Sequence, residues 1–208
     1  RKYQYHSEIL RLQNQKILVG DSYPMRRLQK IIDKIRHSSH SVLIQGETGT
    51  GKELVAAQLR ARRPDGTLCP FVAVDSATIL QSTAESLLFG HERGSFTGAD
   101  RVKKGFFEEA NGGIIYFDEI SNMSIDIQAK LLRALQEKEI TRLGSNKTVH
   151  LDFRVVCATN QSLDCLVSKG LFKQDLYQRL NVLPVSVSPL RERKEDIPIL
   201  ISHFVQRL

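Results

Sequence analysis

Val42-Leu43-Ile44-Gln45-Gly46-Glu47-Thr48-Gly49-Thr50-Gly51-Lys52-Glu53 is the stretch that decides the fold. A short apolar strand runs into glycines at 46, 49 and 51 and then Lys52, and a helix is predicted from about Lys52 to Arg62. Strand, glycine-rich turn and helix in that order are the setting a phosphate loop requires. The glycines let backbone N–H groups turn inward around anionic oxygens. The helix N-terminus adds partial positive charge, and Lys52 brings a point charge for β- and γ-phosphates. The alternative is a glycine-rich turn that binds nothing; spacing, lysine and flanking elements together weigh against it. Glu53, not Ser or Thr, follows Lys52, so no hydroxyl stands there for Mg²⁺ and the metal must lean on other ligands and water.

Working outward, Met25, Leu28, Ile31, Ile32 and Ile35 recur at helical spacing behind Pro24, which suits a first turn. Phe71–Val74, Ile114–Phe117, Arg154–Thr159 and Val182–Val187 read as further short apolar strands, and Gln128, Leu131, Leu132 and Leu135 as a helix. Nearly all-apolar strands separated by helices predict an α/β fold with a parallel sheet covered on both faces. Two stretches interrupt the alternation. Phe89–Lys104 is polar and glycine-bearing and holds no good element; such loops in compact domains are usually functional or disordered. Ile140–Asp152 reads as a hairpin turning at Gly144–Asn146. Ile197, Leu200, Ile201, Phe204, Val205 and Leu208 share one helical face, and Arg1–Gln15 reads as a linker or helical lead-in.

Composition sets limits around this frame. The 208 residues fit one domain, or one and a fragment, at about 150 per domain. With 41% apolar and 25% charged residues, a disordered chain is excluded. The longest apolar runs are four residues against the ~20 of a bilayer span, so no membrane association is expected. Cys69, Cys157 and Cys165 lack C-x-x-C spacing and an even count, which fits a reducing cytoplasm. The first residue is Arg and no signal-peptide pattern follows, so the sequence reads as a piece of a longer protein. The net charge of +7 is either a solubilising bias or a match to an acidic partner such as nucleotide phosphates or nucleic acid; charge alone does not decide.

The strand Ile114–Phe117 delivers Asp118 and Glu119 at its C-terminal edge, where open parallel sheets bind ligands. Asp118 there suits a Mg²⁺ ligand, direct or through water, and Glu119 a base that orients and deprotonates an attacking water. Helix capping by one acid with the other solvated is the plainer alternative. Asn160 ends the next strand and could position the same water; a turn or cap is its ordinary role.

Together these residues resemble the central ATPase domain of the bacterial sigma-54-dependent activators, members of the AAA+ superfamily. The resemblance runs from about Ile17 to Leu208 and rests on Gly46–Glu53, Phe71–Ala77, Glu85–Glu92, Gly94–Ala99, Ala110–Ile120, Ala158–Asn160, Asp175–Leu180 and Pro189–Ile197. It implies a P-loop AAA+ three-layer sandwich over residues 17–190, a lead-in over 1–16, and over 191–208 only the start of a helical lid. Nucleotide contacts are implied at Val19, Gly20, Gly46, Glu47, Thr48, Gly49, Thr50, Gly51, Lys52 and Glu53, and along Ala110, Asn111, Gly112, Gly113, Ile114, Ile115, Tyr116, Phe117, Asp118 and Glu119. The cofactors implied are ATP and Mg²⁺, with Asp118 as the metal ligand. Gly94, Ser95, Phe96, Thr97, Gly98 and Ala99 match the loop with which the family grips the sigma-54 subunit of RNA polymerase. An exposed Phe at a glycine-framed tip suits that task; folding of Phe96 into the core is the alternative.

Three departures from the family pattern stand out. Lys173 occupies the first of two finger positions and Arg179 the second; lysine carries charge without the planar fork. Asp75 replaces the usual Asn, and a carboxylate there is expected to repel Glu119 or share a proton with it. Leu87 replaces a usual Glu. The resemblance further implies a homo-oligomeric ring, a hexamer in the family, DNA contact through a C-terminal domain outside this chain, and a cytoplasmic location. A nucleotide-dependent binding module with little turnover is the competing reading, and an unrelated AAA+ machine such as a helicase loader a weaker third.

Overall fold

A computed structural model describes residues 18–79 and 81–206. The expected lead-in before residue 17 and Leu208 of the last helical face lie outside the described residues. Chain order is α1 (Tyr23–Ile35), β1 (Val42–Gln45), α2 (Lys52–Gln58), β2 (Phe71–Asp75), α3 (Gln81–Phe89), α4 (Phe106–Glu109), β3 (Gly113–Asp118), α5 (Ile125–Glu137), β4 (Glu139–Thr141), β5 (Thr148–His150), β6 (Phe153–Thr159), α6 (Leu163–Ser168), α7 (Gln174–Leu180), β7 (Leu183–Ser186) and α8 (Ile197–Val205).

Among the described residues five strands form one parallel sheet in the order β2-β3-β6-β1-β7. β6 is buried along its whole length, as a central strand covered on both faces must be. One face packs against α1 and α2 through Leu28, Ile32, Val55 and Ile44. The other packs against α3 to α7 through Leu88, Phe107, Leu131 and Leu176. Phe107 anchors that second layer, with its ring 5.3 Å from Phe89 and 5.1 Å from Phe153. The expected hairpin is present: β4 and β5 pair antiparallel, with Thr141 opposite Thr148.

Two expectations about elements need correction. The helix after Lys52 ends at Gln58, not near Arg62. Pro64 disfavours helical geometry at Arg63, and Arg62 instead bridges back to Leu68 around a turn at Gly66. The stretch from Phe89 to Lys104 also begins in structure, since α3 runs through Phe89. The remainder is tied down by bridges from His91 to Lys103 and to Leu143.

Candidate functional site

The loop 46–51 leaves the C-terminal end of β1 and enters α2. Gly49 and Gly51 hold positive φ, +81° and +94°, a geometry that costs glycine least. Gly46 is needed for space: a Cβ there would lie 2.9 Å from the Val187 carbonyl and 3.0 Å from Thr50 Oγ1. Thr50 Oγ1 donates to the Glu47 carbonyl at 2.8 Å, closing the turn on itself.

Lys52 is only 6% exposed. Its Nζ donates to the carbonyls of Gly46 (3.0 Å) and Glu47 (3.3 Å) and to Glu119 Oε1 (3.1 Å). The other Glu119 oxygen accepts from the Asn160 backbone N–H at 3.1 Å, and Asn160 Nδ2 donates to Thr48 Oγ1 at 2.9 Å. Residues from three strand ends thus converge on one point. Glu119 sits in left-handed backbone geometry (φ 45°), uncommon for a residue with a side chain, at the turn that aims it there. Asp118 Oδ1 accepts from the Tyr116 hydroxyl (3.0 Å) and from the Glu119 N–H (3.1 Å). Burial, and then the charge of Asp118, push the Tyr116 hydroxyl pKa well above its ordinary value, so it stays a donor.

Asp75 lies opposite Asp118 in register on the neighbouring strand. Asp75 and Glu119 are engaged by separate partners. Asp75 turns its carboxylate to the Ala77 N–H at 2.9 Å, while Glu119 is engaged by Lys52 and Asn160.

The Pro189–Ile197 segment closes over the same loop, through contacts that its motif did not specify. Arg191 forks onto Glu47 at 2.7 and 2.6 Å, both side chains being exposed. Buried Arg193 donates to the Thr50 carbonyl at 3.1 Å and to Met25 Sδ at 2.9 Å. Buried Asp196 accepts from Ser22 Oγ and from the N–H groups of Asp21 and Ser22. It stands against Gly20, where a Cβ would lie 2.8 Å from Asp196 Oδ2. Gly20 is thereby fixed beside α1 and the segment leading into α8.

Part of the expected nucleotide set is not brought to this point. Ala110, Asn111 and Gly112 precede β3, and Gly113, Ile114 and Ile115 form its N-terminal half. Five steps of ~3.3 Å rise put Gly113 roughly 17 Å from Asp118. Ala110 and Ile115 are fully buried, and Phe117 is core. Asn111 caps the Asp152 N–H at 2.8 Å. Of Ala110–Phe117 only Tyr116 reaches towards the site, its hydroxyl donating to Asp118.

The loop at Gly94–Ala99 is a closed tip. Gly94 and Gly98 hold positive φ, and the Gly94 N–H donates to the Ala99 carbonyl at 2.8 Å. Phe96 is 45% exposed, its ring edge-on to His91 at 5.0 Å. Thr97 is exposed and Ala99 buried. Ser95 packs against Gly144 of the β4–β5 turn, where a Cβ would come within 2.6 Å of it. Arg142 binds the assembly together, donating to Glu92 (3.0 Å) and to both oxygens of Glu108 (2.8 and 2.7 Å).

The hydrogen bond from Arg142 holds the Glu108 carboxyl below its ordinary value of 4.5. The unfolded chain therefore binds that proton more tightly than the folded one. The stabilisation is complete above about pH 4.5 and is lost as pH falls through the folded value. Glu108→Gln is expected to lower stability at pH 7 and to lose less on acidification below pH 4.5 than the parent. Urea unfolding at several pH values checks this; parallel curves for parent and variant would contradict it.

Lys173 caps the start of α7, its N–H held by Gln128 Oε1 at 2.8 Å. Arg179 is exposed in the last turn of α7, just ahead of the N-terminal end of β7. The loop around Lys52 lies past the C-terminal end of the adjacent parallel strand β1. Arg179 and Lys52 therefore stand at opposite ends of the sheet within one chain.

With fold and site in view, the comparisons define the class. The sigma-54 interaction domain profile matches residues 18–186. The chain belongs to the sigma-54 interaction domain family, found in sigma-54-dependent transcriptional regulators. It is 49% identical over 190 residues to the nitrogen fixation protein VnfA of Azotobacter vinelandii, covering 91% of this chain and 36% of that protein. It is 46% identical over 189 residues to the DNA-binding transcriptional regulator NtrC of Escherichia coli K12, covering 91% and 40%. NtrX from Brucella abortus, solved in complex with ATP, superposes with a TM-score of 0.83 at 37% identity, covering 97% and 44%. The chain thus spans less than half the length of these relatives. Its α/β fold is the AAA+ fold. No helix among the described residues is long and apolar enough to cross a membrane.

Proposed function

We propose that the site binds ATP and hydrolyses it, and that hydrolysis drives the Gly94–Ala99 loop against the sigma-54 subunit of RNA polymerase to favour promoter opening. The observation that carries this reading is the convergence of Lys52, Glu119 and Asn160 on one point beside a glycine loop at the C-terminal sheet edge. ATP bound to the related NtrX supports the nucleotide.

The loop geometry fits a triphosphate. Gly49 faces open space, and the Lys52 ammonium has only two carbonyls and one carboxylate to leave. Binding exchanges the Glu119 contact of Lys52 for phosphate oxygens. Glu119, released from Lys52, then orients and deprotonates water; Asn160, bonded to Thr48 of the loop, sits where it can sense the terminal phosphate. Among the described residues no three acids, histidines or cysteines cluster as a ready-made metal cage. Mg²⁺ suits a site of one or two carboxylates, phosphates and water, so Asp118 would hold it, and it would supply charge neutralisation. Phosphoryl transfer needs mainly positioning and electrostatics, which these groups provide.

Arg179 cannot serve the site of its own chain from the far end of the sheet. We read it, with Lys173, as acting on the nucleotide of a neighbouring copy, in a homo-oligomeric ring that is a hexamer in the family. Residues 17–190 are the ATPase core and 191–208 the start of the lid. DNA contact belongs to a C-terminal domain beyond this chain, in a cytoplasmic bacterial regulator. A binding module with negligible turnover is the competing reading, favoured by Lys173 at a finger position.

The loop carries its own test. Phe96→Ala is expected to abolish nucleotide-dependent retention of sigma-54 in a pull-down while hydrolysis continues. Retention unchanged by the substitution would remove Phe96 from the contact.

A further inference from the structure

At the end of the sheet opposite Lys52, the N-terminal ends of β3 and β6 meet the chain around β1 at a cavity of about 360 Å³. Arg36, His37, Lys138 and Arg154 line it, against one carboxylate, Asp152. The Arg63 guanidinium reaches its rim, 3.9 Å from where a Cβ on Gly112 would sit. Asp33, at 3.3 Å, partly offsets Arg36.

Arg154 is the unusual member. It is 7% exposed and donates to the carbonyls of Ile35, Arg36 and His40 at 2.9, 3.0 and 2.9 Å. It thus caps the C-terminal end of α1, a place that favours a cation. Those three bonds leave two of its five N–H groups over, and no carboxylate among the described residues pairs with it. Burial lowers its pKa to about 10, so it remains charged at neutral pH. A buried charge met only by dipoles favours a counter-ion. Lys138 adds a second cation from the end of α5. It holds left-handed geometry (φ 55°), and its ammonium lies 2.6 Å from the Phe153 carbonyl and 4.3 Å over the Phe153 ring. Burial lowers its pKa, Asp152 raises it and nearby Arg179 lowers it again. Cations from three separate chain segments therefore crowd one concavity.

We propose that this cavity is a second anion site, separate from the phosphate loop, that takes a small free oligophosphate such as pyrophosphate. The cations converge on a hollow rather than forming a stripe, which suits a compact anion over an extended nucleic-acid backbone. Asp152 on the wall limits how much negative charge the site accepts and gives a handle of opposite sign.

The test is equilibrium dialysis of labelled pyrophosphate, with inorganic phosphate and a short DNA duplex as competitors, on the chain carrying Lys52→Ala so that the phosphate loop is disabled. Saturable one-to-one pyrophosphate binding is expected to remain. Adding Lys138→Gly, which removes a charge and suits the left-handed backbone, is expected to weaken it about tenfold, the effect of one charge-assisted contact. Adding Asp152→Asn is expected to tighten it. Loss of all saturable binding in the Lys52→Ala chain would overturn the proposal and leave the phosphate loop reading intact. Binding indifferent to both added substitutions, or displaced by duplex DNA more readily than by phosphate, would overturn it too.

Discussion

Glu119→Gln is expected to cut steady-state ATP hydrolysis by about 10²–10⁴-fold, the usual worth of a positioned general base, while tightening ATP binding. Both effects follow from one geometry. Glu119 accepts from Lys52 at 3.1 Å and from the Asn160 N–H at 3.1 Å. A glutamine keeps the size and can still accept from Asn160, but it cannot take a proton from water. It also weakens the hold on Lys52, which ATP must otherwise displace. The signature is therefore a large fall in kcat with a lower, not higher, KM. Hydrolysis unaffected by the change would remove Glu119 from the chemistry. A parallel loss of ATP binding would show that it serves the structure of the loop instead.

Lys173→Arg is expected to raise turnover roughly 10–100-fold. Lysine delivers a point charge where the fork of arginine can make an additional directed contact, and one hydrogen bond to a charged group is worth about 1.5–3 kcal/mol. The position tolerates the exchange, because its backbone N–H, not its side chain, is what Gln128 holds. A rise in kcat without a change in nucleotide affinity is the expected pattern, measured at protein concentrations that favour assembly. If the parent is nearly inactive but binds nucleotide, and Lys173→Arg restores no turnover, the binding-module reading gains.

The parallel sheet was legible because its strands are short unbroken apolar runs, Val42–Ile44 and Ile114–Phe117 above all, and α1 because Met25, Leu28 and Ile32 keep helical period. α3, α4, α6 and α7 were not read as elements, since four to nine residues of mixed polarity give no clear period. The convergence of Lys52 and Glu119 was legible through motif spacing. The far placement of Ala110–Ile115 was not: they are contiguous in sequence with Asp118, and only the extended rise of β3 separates them from it. The contacts of Arg191 with Glu47 and of Arg154 with Ile35 join residues 144 and 119 positions apart. Arg191 lies in the Pro189–Ile197 motif, but neither arginine's partner is marked locally, because it is set by how β6 and the segment after β7 pack, not by neighbours in the chain.

The shared site is the central claim, and mixing two inactive variants tests it most directly. Glu119→Gln leaves Arg179 intact, and Arg179→Ala leaves Glu119 intact. Each alone is expected to hydrolyse ATP poorly, and their mixture is expected to recover activity, because some interfaces then join a working Glu119 to a working Arg179. A mixture as inactive as its components, or an Arg179→Ala protein as active as the parent, would contradict it.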